Sequence, residues 1–300
     1  MKPLVSIIVP VYNTPLAYVA ECLSSVAAQT SREIVELVVF DDGSTPGYKS
    51  QLKQLVSGVE REVPVLFAET DENRGPCYAR NDAVGMASGE YVLLLDSDDV
   101  LDPTIVEECA KTFAGGPLLV YTNHLKVSAD RQSVIHERDK RAYHRLMQEF
   151  KGTVFDPLLH CTFIFHAQVI RRDAFLQLGS FRTDLGYGDE VDMHLRLSEL
   201  SSEADFALVP ESLYHYRDNP HGIVHQPDLY ARLITNIEGI IVEASQRRGF
   251  GVVRASRIGR ALRTHAAHYV LFSNHGARIE APYFDYQTCC LKPEYLPGYS

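Results

Sequence analysis

What most constrains this chain is the alternation of short apolar runs with helical-period stretches over its first hundred residues, and the acidic clusters that fall where two of those runs stop. Val5-Ser6-Ile7-Ile8-Val9 is β-branched and nearly all apolar, the pattern of a strand buried on both faces. From about Ala17 to Gln29 apolar residues recur at helical spacing (Val19, Leu23, Val26), and Glu36–Phe40 reads as a second strand ending at Asp41-Asp42-Gly43-Ser44. Residues 49–56 read as a helix and Val63–Phe67 as a third strand. Residues 76–87 read as a further helix stopped by Gly89, and Glu90–Leu95 as a fourth strand ending at Asp96-Ser97-Asp98-Asp99. This order predicts an α/β fold: a mostly parallel central sheet with helices on both faces. Ligands of such sheets bind outside the strand carboxyl ends, so both acidic clusters are expected to face one crevice.

Beyond Pro103 the pattern loosens. Leu118–Tyr121, Thr162–Phe165 and Ala207–Pro210 read as short strands, and the charged stretch 130–151 as a helix or a mobile loop over the site. Residues 228–248 form an amphipathic helix with Leu229, Leu233, Ile237, Ile240 and Ile241 near one face. A hairpin is expected around Ser273-Asn274-His275-Gly276. The expected organisation is a domain over 1–225, with halves 1–100 and 101–225, then a C-terminal helical and hairpin extension over 226–300.

A formal net charge of -10 argues against a nucleic-acid partner, which needs a basic footprint. Six scattered cysteines without a CxxC pair argue against zinc and suit a reducing compartment. The adjacent Cys289-Cys290 is expected to pack within the C-terminal unit. No apolar run reaches membrane-spanning length, so a cytoplasmic protein, at most peripheral to a membrane, is expected. The basic run Arg254, Arg257, Arg260 and Arg263 drifts around a helix; it reads as a solvated face or as a contact for an anionic acceptor or membrane surface.

A carboxylate in the first cluster can accept from a base N–H or a ribose hydroxyl, or simply cap the following helix. In the second cluster, Asp96 and Asp98 lie two apart where the chain leaves the sheet. Hard divalent cations such as Mg²⁺ or Mn²⁺ favour such oxygens and complete their shell with substrate phosphates, and adjacent carboxylates repel unless a cation or proton relieves them. A capped turn is the alternative.

In order and spacing, Val5–Asn13, Val39–Ser44, Asn73-Arg74-Gly75, Ala79-Arg80-Asn81, Ala87–Tyr91 and Leu95–Asp99 resemble the family 2 glycosyltransferases of the GT-A fold. The resemblance is strong over the first hundred residues and absent beyond 250. It implies an inverting transfer of sugar from a nucleotide-sugar donor, UDP-linked by expectation, to an acceptor hydroxyl, assisted by Mn²⁺ or Mg²⁺. Tyr12 would stack on uracil and Asp42 accept its N3–H, with Pro10 and Asn13 beside them. Arg74 or Arg80 would neutralise diphosphate, Asp96 would serve the ribose and the metal, and Asp98 would be the main metal ligand.

Gly186–Met193 carries Asp189-Glu190 where many relatives carry Glu-Asp with Asp as the base. Alignment on Val191-Asp192 makes Glu190 the candidate base and Asp189 its alternative; a bare negative helix N-terminus is the plainer reading. In Leu213–His221 the family's usual His two residues past Arg217 is Asn219, leaving His221 as the candidate ligand with His215 and His225 nearby. Arg217 itself would oppose diphosphate charge. Two other readings stay open. A sugar nucleotidyltransferase is disfavoured because Pro10-Val11-Tyr12-Asn13 is not a Gly-rich phosphate loop; a degenerate nucleotide-sugar-binding or assembly protein would lack transfer. The acceptor (saccharide, lipid-linked sugar, peptide or small molecule) and a homodimer through the C-terminal hairpin are not specified by the residues.

Overall fold

The computed structural model describes residues 4–141, 144, 145, 148, 166–200, 206–220, 222, 225–249, 284–285 and 290–291. The expected strand at 162–165, the hairpin around 273–276, the basic run 254–263, Cys289 and His221 lie outside the described residues.

The first half alternates as expected: β1 (Val5–Val11), α1 (Leu16–Ala27), β2 (Val35–Asp42), α2 (Pro46–Val59), β3 (Val65–Thr70), α3 (Pro76–Met86) and β4 (Tyr91–Leu94). Strand β2 extends through both acidic residues of the first cluster, so Asp41 and Asp42 sit in the last pairs of the ladder, opposite Glu69 and Thr70 of β3. Then follow β5 (Val100–Leu101), α4 (Ile105–Ala110), β6 (Leu119–Val127), β7 (Val134–Arg138), β8 (Gln168–Arg171), α5 (Arg172–Gln177), α6 (Asp189–Leu200), β9 (Phe206–Arg217) and α7 (Pro227–Arg247). Phe284–Asp285 and Cys290–Leu291 form a separate two-stranded ladder.

The nine-stranded sheet runs β3-β2-β1-β4-β8-β6-β9-β5, with β7 paired to β6. Strands β3, β2, β1, β4, β6 and β9 point one way; β8, β7 and β5 oppose them. The sheet is therefore mixed but mostly parallel. Alternation along each strand builds two cores. Ile7, Val9, Leu37 and Val39 face α1, α2 and α4, whereas Ile8, Val38 and Phe40 face α3, α5, α6 and α7. Each such side chain, fully buried, contributes about 1.5–3 kcal/mol. Helix α7, assigned from sequence to a C-terminal unit, inserts Ile237, Ile240, Ile241 and Ala244 into the second of these cores.

Strands β5 and β8 and helix α5 were not expected, and two further elements differ from expectation. Within the charged stretch, Val134–Arg138 is an edge strand hydrogen-bonded to β6, its exposed side explaining the polar composition. Strand β9 continues past Pro210, because the β6–β9 register shifts at Thr122–His124. A bulge tolerates proline, and there Asn123 donates to the Pro210 carbonyl at 2.7 Å while accepting the Lys140 N–H at 2.8 Å.

Candidate active site

The carboxyl ends of β1, β2 and β4 open on one crevice, and backbone-shaping side chains define its first wall. Asn13, in a left-handed conformation (φ 47°), donates its N–H to Ser44 Oγ at 2.9 Å and accepts the Thr45 N–H at 3.1 Å. Both oxygens of Asp42 accept backbone amides of the next loop, Arg74 N at 3.0 Å and Gly75 N at 2.7 Å. Between them Gly43 (φ 76°) lies so close to Glu72 and Asn73 that a Cβ would overlap their backbone. The β2 turn and the 72–75 loop are thus one rigid piece. Tyr12 projects from it half exposed, a face open to stacking, with Pro10 one residue inside the strand. Arg74 lies over the Tyr78 ring and pairs with Asp82. Asp41 is fully buried, and burial, only partly offset by Ser44, lifts its carboxyl above the usual range.

The acidic turn after β4 is held from far along the chain. Asp99 is fully buried: Tyr214 donates to it at 2.6 Å and the Arg217 N–H at 2.7 Å. Asn219 donates to Asp98 Oδ2 at 2.7 Å. Burial and repulsion by their neighbours raise both Asp98 and Asp99 above ordinary carboxylates. Asp96 is also raised by burial, but Arg80 and His166 together outweigh that and hold it low. The Arg217 guanidinium, expected at the diphosphate, is instead buried over Tyr18. It donates to the Asp98 carbonyl at 2.6 Å, to the Ala129 carbonyl and to Glu21 at 2.9 Å. It is a strut for the acidic turn.

Arg80 also has defined partners. Its side chain, 11% exposed, donates to Asp96 Oδ1 at 2.7 Å and to Asp189 Oδ2 at 3.2 Å. Asp189 and Glu190 open α6, as the sequence led one to expect. Burial lifts the Glu190 carboxyl to about 7; Arg80 opposes that rise, while Asp189 and Asp96 add to it. The loop before α6 is pinned on several sides. Asn81 exchanges two 2.9 Å hydrogen bonds with the Phe181 backbone, Arg196 binds the carbonyls of Leu178 and Ser180, and Asn236 of α7 binds those of Leu185 and Tyr187.

His166 is the site residue that sequence reasoning missed. It precedes β8 with φ 58°, stacks on Tyr216 at 4.3 Å between ring centroids, and meets His124 edge-on. Its ring brings a nitrogen within 4.8 Å of carboxylate oxygens of Asp96 and Asp99, a group able to hold a metal ion. Two carboxylates and an imidazole form a donor set that suits a divalent cation, and the raised Asp98 and Asp99 mark a turn whose charge a cation would relieve. No pattern in the sequence set it apart from the other histidines. His225 pairs with Asp218 at 2.8 Å, and His215 lies on β9 opposite Val100.

Known proteins carry the same architecture. The model for "Glycosyl transferase family 2" matches residues 6–179, from β1 through α5, stopping short of the α6 carboxylates. The chain is 28% identical over 270 residues to the O-antigen biosynthesis protein RfbC of Myxococcus xanthus, covering 89% of this chain and 18% of that protein. It is 29% identical over 200 residues to chondroitin synthase of Escherichia coli, covering 66% and 27%. It therefore spans well under a third of the length of these relatives. Among solved structures, S. aureus TarS 1-349 in complex with UDP-GlcNAc superposes with a TM-score of 0.64 at 19% identity, covering 89% of this chain and 73% of that one. The mannosyltransferase PcManGT of Pyrobaculum calidifontis, in complex with GDP-Man and Mn²⁺, gives 0.60 at 20%, covering 89% and 76%. These likenesses identify the GT-A fold. No helix among the described residues is long and apolar enough to cross a membrane. With its family model matched over more than half its length, in the strands and turns that build the crevice, the chain belongs to glycosyl transferase family 2.

Proposed function

We propose that this protein transfers a sugar from a nucleoside diphosphate donor, a UDP-sugar in our reading, to an acceptor hydroxyl with inversion, using Glu190 as general base. The observation that carries this reading is Glu190, a carboxyl raised to about 7 at the N-terminus of α6, close enough to feel Asp96 and Arg80. A base works best when its proton affinity lies near the working pH. Asp189 is the weaker candidate because Arg80 already neutralises it.

Tyr12 stacks on the base and Asp42 orients the 72–75 loop around it, with Asn13 fixing the turn and Arg74 at its rim. Asp96, Asp98, Asp99 and His166 are the described residues that would hold a divalent cation. When bound, such an ion supplies charge neutralisation to the departing diphosphate. Glu190 takes the acceptor proton as the acceptor oxygen bonds the anomeric carbon. The bond from that carbon to the diphosphate oxygen breaks on the opposite side, which inverts the centre. The relatives bound to UDP-GlcNAc and GDP-Man support a nucleotide-sugar donor. The geometry names no acceptor.

Donor hydrolysis by the full chain with Mn²⁺ tests the assignment. Glu190→Gln should lower turnover by about 10²–10⁴-fold, and Asp189→Asn by much less. Equal rates in Glu190→Gln and wild type would end the case for Glu190. A thermal-shift panel with and without Mn²⁺ checks the donor class: stabilisation by UDP only with metal is expected, and no response to any nucleotide would undo the reading.

A further inference from the structure

We infer that Arg80 and Asn81 are positioning residues that set the register between the donor-side acidic turn and the base-bearing helix, and that Arg80 is not a diphosphate ligand. This inference rests on the reading of Glu190 as the base.

Helix α3 lies between the two groups. From one turn of it, Arg80 reaches Asp96 at the end of β4 and Asp189 at the start of α6, 16 and 109 residues away in sequence. The next residue, Asn81, closes a two-bond ring with Phe181 in the loop that feeds α6. Cys77, one turn earlier, sets its thiol beside Asp189. Three neighbouring side chains of one helix therefore grip the approach to α6, while α3 itself is seated in the core through Ala79, Ala83 and Val84.

The geometry argues against the diphosphate role. The guanidinium is nearly enclosed, with both terminal nitrogens on carboxylates and its buried Nε without a partner among the described residues. A phosphate would have to displace an Asp96 or Asp189 contact and leave that carboxylate beside its acidic neighbours without a counter-charge. As a bridge, by contrast, the same side chain fixes the distance from Asp96 to the first turn of α6. Displacing a catalytic group by about 1 Å can cost on the order of 10²-fold in rate.

The test uses the full chain carrying Arg80→Met, Arg80→Lys or Asn81→Ala. UDP affinity is measured by calorimetry in Mn²⁺, donor turnover at saturation, and amide exchange over residues 181–192. The expected result is turnover down about 10²-fold in Arg80→Met, less in Asn81→Ala, with UDP affinity within about twofold of wild type. Exchange at 181–192 should rise in both, while the amides of Ser44 and Arg74 stay protected. Arg80→Lys, which keeps a charge but reaches one carboxylate at a time, should recover part of the rate. If Arg80→Met weakens UDP in proportion to its loss of turnover, Arg80 is a diphosphate ligand and the inference is overturned. Unchanged turnover and exchange in both variants also overturn it. Asn81→Ala, neutral and at the surface of the network, supplies the answer should Arg80→Met not fold. A wild-type chain that binds no UDP would defeat the proposed function instead, leaving amide exchange to judge the bridge.

Discussion

The two ends of the crevice are built on different principles. Around Gly43 the wall is shaped by backbone amides and short polar side chains, with partners 31 to 33 residues apart. Around Asp96 and Glu190 it is shaped by buried charge, and the partners lie up to 196 residues apart. A flat, neutral base is recognised by a fixed slot, which backbone geometry supplies cheaply. Developing charge and a moving proton need groups with altered proton affinity, which burial, neighbouring charges and hydrogen bonds supply.

That contrast can be broken from either side. The largest effect is expected for Arg217→Met, which strips a buried cation from Glu21 and from the Asp98 and Ala129 carbonyls. Leaving the Asp98 and Ala129 carbonyls without their donor costs about 1–3 kcal/mol each, so chemical unfolding should show a loss of several kcal/mol together with weakened Mn²⁺ binding. Gly43→Ala follows, at about 2–4 kcal/mol for a positive φ plus backbone overlap. UDP affinity should fall with it, whereas Mn²⁺ binding without nucleotide should persist; parallel loss of both would erase the distinction between the ends.

The pH dependence probes the charged end alone. With Glu190 near 7, turnover should drop about tenfold per unit below that pH as the base is protonated. Stability moves the opposite way. The native carboxyl keeps its proton up to about 7, the unfolded one only to about 4.5, so its contribution is fully present below 4.5 and is lost as pH rises to 7. Glu190→Gln should remove that part of the slope in a series of thermal melts, and an unchanged slope would mean Glu190 titrates normally. Ser44→Ala is the mildest test: it removes the acceptor of the Asn13 N–H, costing about 1 kcal/mol and leaving the pH profile of turnover in place.

The same contrast explains what could be seen in the sequence. Strands β1, β2 and β4 announce themselves through mostly apolar runs, and the turns after them through Asp, Gly and Ser, because their determinants are local. Asp189 and Glu190 were legible as a pair at a helix start, though not which of them Arg80 would neutralise. Strand β7 was hidden because an edge strand with an exposed face resembles a charged loop. His166 gave no signal since its worth lies in a left-handed backbone and a ring stack on Tyr216, both products of tertiary contact. Arg217 was visible as a charge and misplaced, because burial under Tyr18 is not written in its neighbours. The bulge that lets β9 pass Pro210 likewise depends on Asn123, from a distant strand.

The fastening of Asp99 has a further meaning for how this chain is made. The Asn13–Thr45 clamp joins the ends of β1 and β2, so it can close as soon as β2 and its turn have been made. The acidic turn must wait for Tyr214 and Arg217, 115 and 118 residues after Asp99. Throughout that interval Asp98 and Asp99 lack the groups that will hold them, and only Asp96 has its partner, Arg80, already made, so the β1–β2 wall of the crevice can form well before its charged end takes shape.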